Sequence, residues 1–167
     1  MSRAVNAIYR VSFRRRREGR TNYARRLALI QSGKTRLVVR KTNKNIIVQL
    51  IDTGPKGDVT RVTVLSSVLK KMGWEPRRNA ATAYLTGWYA ARLARDKSIQ
   101  EFVLDIGLHT PSNGSIVFAA AKGALDAGLR SSYQGEKAPG QKIDALAADA
   151  KQRFEEVKEK IGKGKHT

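Results

Sequence analysis

The residues with the clearest chemical potential are arginines near the amino terminus. Four are consecutive, Arg14–Arg17, and seven lie within residues 14–26. Each guanidinium is a planar fork of donors that can bind two phosphate oxygens or stack on an exposed base. Aromatic side chains are interleaved with them at Tyr9, Phe13 and Tyr23, and such rings stack on unpaired RNA bases. This combination indicates a polyanionic partner with accessible bases.

The distribution of charge supports the same interpretation. The chain has 33 lysines and arginines against 14 acids, a formal net charge of +19. Residues 1–45 hold fourteen of these basic residues and a single acid, Glu18. Such an excess repels itself unless a polyanion neutralises it. A nuclear-localisation signal or a solubilising tract is the simpler alternative for the arginine run.

Catalytic chemistry has few residues to draw on. The chain has no cysteine, and its two histidines are His109 and His166. A small hydrolase can be imagined from Asp105, His109 and Ser115, but the second glycine of a nucleophile elbow is missing. The glycine spacings match neither common phosphate-binding loop, and no metal-ligand cluster is visible. We therefore predict no enzyme, no cofactor and no metal.

The sequence also bears on the kind of polyanion and on the compartment. Nothing in it matches a zinc finger, a leucine zipper or a DNA-recognition helix. No segment approaches the ~20 consecutive apolar residues of a membrane span, and no apolar stretch follows the first basic residues as in a secretory signal. We expect a cytoplasmic protein whose partner is RNA and not a membrane.

Three strands are predicted next along the chain, at residues 36–41, 46–51 and 59–65. The turn at residues 42–45 contains two asparagines, which tolerate the left-handed conformation, and a second turn covers residues 52–58. The strands should form an antiparallel meander with a polar, basic hairpin tip. The basic and amide side chains of the first hairpin are Arg36, Arg40, Lys41, Asn43, Lys44 and Asn45.

Helices are predicted on both sides of this meander. Residues 22–32 have helical spacing of apolar positions. After the meander, we expect Ser66 to cap a short helix that ends at Gly73, and Asn79 or Thr82 to cap a longer one.

A later strand and helix complete the predicted body of the protein. The continuous apolar run at residues 102–106 is typical of a central strand covered on both faces. A loop at residues 110–113 then leads into a helix that extends to Leu125.

The carboxyl-terminal segment has one apolar stripe. Residues 131–140 are rich in Ser, Gly and Pro and are interpreted as a linker. The stripe should dock on another apolar surface, either on the body or on a partner component. Its members are Ile143, Leu146, Ala150, Phe154, Val157 and Ile161.

We therefore predict an α/β (α+β-like) fold in four segments. They are a basic extended arm (1–20), a globular RNA-binding domain (21–130), a linker (131–140) and an amphipathic helix with a basic tail (141–167). The sheet should be mixed, with the meander joined by the later central strand and packed by helices.

Several stretches in one consistent order carry a family resemblance. They are residues 9–23 (YRVSFRRRREGRTNY), 25–27, 32–41 (SGKTRLVVRK), 43–44, 46–52, 83–87 (AYLTG), 104–109 (LDIGLH) and 117–129 (VFAAAKGALDAGL). Together they closely resemble the universal ribosomal protein family L eighteen in its archaeal-type form, whose eukaryotic homologue is called L five.

The resemblance implies a structural constituent of the large ribosomal subunit. Such a protein binds 5S rRNA and helps attach it to the large-subunit rRNA in the central protuberance, beside a 5S-binding protein of the universal L-five family. A free-standing RNA chaperone or regulatory RNA-binding protein is the alternative. Relatives often have an aromatic residue where this chain has Ile47, so base stacking is not expected there.

The resemblance also implies where RNA binds: the basic amino-terminal segment, the exposed strand face and the loop before the helix that ends near Leu125. The predicted RNA-binding residues are Arg10, Arg14, Arg15, Arg16, Arg17, Arg20, Tyr23, Arg25, Arg26, Lys34, Arg36, Arg40, Lys41, Asn43, Lys44, Asn45, His109, Ser112, Asn113 and Ser115.

Overall fold

The order of secondary-structure elements follows the predicted order closely. The computed structural model describes residues 6–140, 143 and 148–163. The elements are α1 (Arg14–Arg17), α2 (Tyr23–Gln31), β1 (Arg36–Lys41), β2 (Ile46–Gly54), β3 (Gly57–Leu65), a 3₁₀ helix (Ser66–Met72), α3 (Ala80–Asp96), β4 (Glu101–Asp105), α4 (Ile116–Asp126), β5 (Arg130–Ser131) and α5 (Ala148–Lys163).

The five strands form one mixed sheet in the order β3-β2-β1-β4-β5. The first three strands are antiparallel neighbours, whereas β4 is parallel to both β1 and β5. The predicted meander, the later central strand and the fold class are confirmed. Both strands of the second hairpin are longer than predicted, because Gly57 adopts a φ of 122° and Pro55 and Lys56 alone make the turn.

Helices α3 and α4 cover one face of the sheet. The side chains of Leu37, Val48 and Val64 alternate toward them and are almost completely buried. The two helices cross so closely that only glycine fits at two positions. A Cβ atom at Gly87 would overlap the carbonyl group of Ala120, and one at Gly123 would overlap that of Tyr84. The apolar core therefore lies on this face and leaves the opposite face for other uses.

Helix α5 docks on the body. Phe154, Val157 and Ile161 are buried in a second apolar cluster with Leu69 of the 3₁₀ helix and Trp74. Of the two docking partners considered for the stripe, the structure selects the body.

The other stripe positions fit less completely. Ala150 is half-buried, and Ile143 is partly buried against both apolar clusters. Leu146 lies outside the described residues.

One predicted helix cap is wrong, and the structure decides between the two caps predicted for the longer helix. Ser66 does not cap the short helix: its buried hydroxyl accepts a hydrogen bond from the Ile46 amide instead, and the segment is a 3₁₀ helix that ends before Gly73. For α3, the cap is Asn79, whose side chain accepts from the Thr82 amide at 2.9 Å. Sequence pattern located both helices correctly but not every cap.

Two segments have more local structure than their predicted descriptions suggest. Within the arm, Arg14–Arg17 forms one helical turn rather than extended chain. In the segment 131–140, the Tyr133 ring lies 5.2 Å from that of Phe118, and the Lys137 carbonyl accepts from the Gly114 amide at 3.0 Å. The latter contact ties the segment to the loop that precedes α4.

Among the described residues, every helix is too short or too polar to cross a membrane.

Candidate nucleic-acid interface

The second face of the sheet supports the candidate site. Arg36, Val38 and Arg40 of β1 alternate away from the core, and α2 lies over them. Asn22 caps the amino terminus of helix α2, because its side chain accepts from the Arg25 amide at 3.0 Å. All nine residues of α2 are described and none is buried.

Polar contacts connect α2 to the sheet and to the loop after β4. The Arg25 guanidinium donates to the Gly107 carbonyl at 3.0 Å. The neighbouring Arg26 donates to Asp58 Oδ2 on β3 at 2.7 Å. These two adjacent arginines therefore direct their guanidiniums to opposite sides of β1, since β3 and β4 lie on opposite sides of it in the sheet.

A cleft of about 290 Å³ opens between α2, the end of the arm, β1 and the loop after β4; we call it the α2 cleft. Seven of the twenty predicted RNA-binding residues line it, which places distant parts of the sequence on one surface. They are Arg15, Arg20, Arg25, Arg26, Arg36, Arg40 and His109.

The structure buries Arg36, which the sequence analysis predicted to bind RNA. Its side chain is only 2% exposed, so its guanidinium is out of reach of an RNA phosphate. Its Nη2 lies 2.7 Å from Asp58 Oδ2, and its Nη1 donates to Asp105 Oδ2 at 3.2 Å. A buried charge requires such partners. Arg36 is thus a structural residue beneath the cleft.

Asp58 is a carboxylate that contacts both the buried Arg36 and the surface residue Arg26. Partial burial by itself would raise the pKa of Asp58, but hydrogen bonds and positive charge from Arg36 and Arg26 bring that pKa below its ordinary value of 3.8. The group is therefore ionised at neutral pH. Asp58 and Asp105 together balance the charges of Arg36 and Arg26.

The arm presents cations and an aromatic ring to solvent. Phe13 is 75% exposed, and its ring lies 5.7 Å from that of Tyr23, tilted by 40°. Glu18 pairs with Arg14 at 3.5 Å and with Arg20 at 3.1 Å. The remaining predicted arm residues are also exposed: Arg10, Arg16 and Arg17.

The tip of the first hairpin is exposed as predicted, except for its last residue. The exposed members are Arg40, Lys41, Asn43 and Lys44. Asn45 is half-buried, and its side-chain oxygen accepts from the Ser66 hydroxyl at 3.4 Å. Its amide group therefore helps to hold the hairpin against the body.

His109 lies at the rim of the α2 cleft and is half-buried. Burial lowers the pKa of its imidazole below 6.5, and the nearby charge of Lys41 lowers that pKa further. His109 is therefore neutral at pH 7 in the free protein. It can offer a hydrogen bond to RNA but adds no charge.

The remaining candidates lie apart from the α2 cleft. Ser112 and Asn113 are exposed on the loop before α4. Ser115 caps α4, because its side chain accepts from the Val117 amide. Lys34 pairs with Glu101 at 2.8 Å.

Sequence reasoning missed the two carboxylates of the site. Asp58 gave no signal, since it fell in a predicted turn. Asp105 was considered for a hydrolase, but its carboxylate pairs with Arg36 and accepts from the Gly107 amide at 2.9 Å. Within the described parts of the chain, no group of three or more His, Cys, Asp or Glu side chains is placed to hold a metal ion.

Comparison with known proteins decides the family. The family model of ribosomal large subunit proteins 60S L5 and 50S L18 matches residues 7–102, more than half of the chain. The chain belongs to this family. Its members are structural ribosomal proteins, so the hydrolase alternative is excluded and the predicted resemblance is confirmed.

Curated relatives agree with this assignment. Large ribosomal subunit protein uL18 of Haloarcula marismortui is 51% identical over 75% of this chain and 68% of its own length. The proteins of the same name from Thermofilum pendens and Halobacterium salinarum are 52% and 53% identical, over 65% and 69% of their lengths. The matched region thus spans about two thirds of each relative. These archaeal relatives confirm the prediction of a ribosome-associated, cytoplasmic protein.

Proposed function

We propose that this protein is a structural constituent of the large ribosomal subunit that binds 5S rRNA. Arm, α2 and first hairpin form the binding surface, and the protein helps attach 5S rRNA to large-subunit rRNA in the central protuberance. The observation that carries this proposal is the α2 cleft, which gathers arginines from the arm, α2 and β1. The names of the relatives support the ribosomal part of the proposal.

The surface has the chemistry that folded RNA requires. Exposed guanidiniums on the arm can neutralise phosphates, and the exposed ring of Phe13 can stack on an unpaired base. The cleft gives the surface a defined shape, which suits an irregular RNA better than a uniform duplex. The sequence resemblance supplies the choice of 5S rRNA and of a universal L-five family protein as neighbour.

The division of the chain belongs to the same proposal. Residues 1–20 serve as the RNA-binding arm, and residues 21–130 hold the arm's cations beside the sheet. Every described residue of the arm, from Asn6 to Arg20, is exposed. Its side chains therefore lie at the surface, where RNA can reach them, and not in the apolar core.

The test compares binding of the full chain to a 5S rRNA transcript and to an unrelated RNA of equal length. One variant replaces Arg14–Arg17 with glutamine, and a control removes four exposed cations elsewhere: Lys70, Lys71, Lys151 and Arg153. Both variants lose the same charge. We expect the arm variant to lose at least tenfold more 5S affinity than the control, with a shallower dependence on salt.

Two outcomes would reject this proposal. Equal affinity of the wild-type chain for both RNAs would favour a free-standing RNA chaperone. Equal losses in the two variants would mean that net charge alone, rather than the arm, binds RNA.

A further inference from the structure

The position of α2 depends on an unusual set of contacts. None of its fully described residues is buried, and its apolar Leu27 is 56% exposed. Tyr23, Leu29 and Ile30 are only half-buried, so apolar burial contributes in part to the docking of α2. The polar contacts of Arg25 and Arg26 therefore contribute to holding α2 against the sheet.

These contacts form a closed ring that begins and ends on α2. Arg26 pairs with Asp58 on β3, and the same Asp58 oxygen lies 2.7 Å from the buried Arg36. Arg36 pairs with Asp105 on β4, and Asp105 accepts from the Gly107 amide. The Gly107 carbonyl then accepts from Arg25 at 3.0 Å, which closes the ring.

The two carboxylates are unfavourable for RNA binding if charge alone is considered. Both line the cleft, where they repel phosphate groups. Their hydrogen bonds indicate a role that offsets this repulsion. Each one accepts hydrogen bonds from groups that set where the guanidiniums of α2 lie.

We propose that Asp58 and Asp105 are positioning residues that give the RNA interface its specificity. They touch no RNA themselves, but they hold Arg25 and Arg26 at fixed places on the rim of the cleft. This inference rests on the proposed function, because it requires that the cleft bind 5S rRNA.

The physical reason is preorganisation. A free arginine side chain has many rotamers, and each must be restricted when it contacts a phosphate or base. An arginine held by a carboxylate has already lost that freedom, so it fits one RNA shape well and others poorly. A loose arginine binds any phosphate with similar strength, which adds affinity without discrimination.

The variant Asp58→Asn separates this idea from simple electrostatics. It makes the chain more positive, so charge alone predicts tighter binding to every RNA. Positioning predicts the opposite sign for the 5S rRNA transcript: roughly tenfold weaker binding, the effect of losing one well-placed interaction. Binding to an unrelated RNA of equal length should stay the same or become tighter.

The matched control is Asp96→Asn, which removes an exposed carboxylate at the end of α3. It should leave the preference for 5S rRNA unchanged. In Asp58→Asn the buried Arg36 loses one partner, so this variant can be partly unfolded. Circular dichroism and urea unfolding therefore measure the folded fraction of each variant, and the affinities are corrected for that fraction.

A second variant opens the ring while both carboxylates stay with Arg36. Arg26→Gln should reduce the preference for 5S rRNA, whereas Arg10→Gln on the arm should weaken binding to both RNAs equally. In the Arg26→Gln background, Asp58→Asn should have almost no further effect on that preference, because the two residues act through one contact.

The outcomes distinguish this inference from the proposed function. A wild-type chain without preference for 5S rRNA would reject both. A wild-type chain with normal preference, together with a folded Asp58→Asn variant that binds 5S rRNA as tightly or more tightly, would overturn the positioning role alone. Additive effects of Arg26→Gln and Asp58→Asn would also overturn it.

Discussion

Helices α2 and α5 both dock on the body of the protein, but by different physical means. α5 buries Phe154, Val157 and Ile161 in an apolar cluster. α2 buries none of its fully described residues and is connected through the charges of Arg25 and Arg26. The first arrangement favours stability. The second keeps cations near the surface, where a polyanion can reach them, at the cost of weaker attachment.

The largest expected difference between the helices is in the free energy of unfolding. Phe154→Ala should destabilise the protein by about 3–5 kcal/mol, because it leaves a cavity beside Trp74 and Tyr84. Leu27→Ala on α2 should change it by less than about 0.5 kcal/mol, as expected for an exposed position. Urea unfolding measures both. Similar losses for the two variants would contradict the distinction.

Salt should produce a smaller difference between the two helices, and here α2 should be the more affected one. At about 1 M salt the screening length falls to about 3 Å, so the ion pair of Arg26 with Asp58 weakens while apolar burial does not. We expect amide hydrogen exchange to accelerate in α2 and not in α5. Sodium chloride titration followed by exchange mass spectrometry tests this. Faster exchange in α5, or in neither helix, would count against it.

Acid should produce the smallest effect on α2. The folded-state pKa of Asp58 lies below 3.8, so its stabilising contribution is complete above that ordinary value and disappears as pH falls through the lowered pKa. Exchange in α2, corrected for its intrinsic pH dependence, should accelerate over that acidic range. Asp58→Asn should abolish the pH-dependent part. If exchange in α2 still accelerates at acidic pH in Asp58→Asn, the pH dependence arises from another carboxylate.

The fold was largely predictable because its signals are local. β1 was predicted with its observed bounds, since apolar residues and the asparagine turn after it both mark the strand. The ends of β2 and β3 were missed, because strand pairing continues to Gly54 and Gly57 through positions with turn-like composition. Tertiary pairing overrides local preference at such places.

The site was predictable only in part. Exposed arginines on the arm and hairpin follow from charge density, and the structure places Arg40 and Lys41 at the surface as expected. The role of Arg36 depends on Asp58 and Asp105, and Asp105 lies 69 residues away from it in sequence. No local pattern distinguishes an arginine that binds RNA from one that is paired beneath the surface.

The parallel pairing of β1 with β4 has a consequence for synthesis on the translating ribosome. Helix α2, with Arg25 and Arg26, leaves the exit tunnel early, but Asp105 and the Gly107 carbonyl are made only after all of α3. A nascent chain therefore displays its cations before it has the groups that orient them. Early encounters with RNA should be indiscriminate, and selective recognition should begin only when β4 has been added to the sheet.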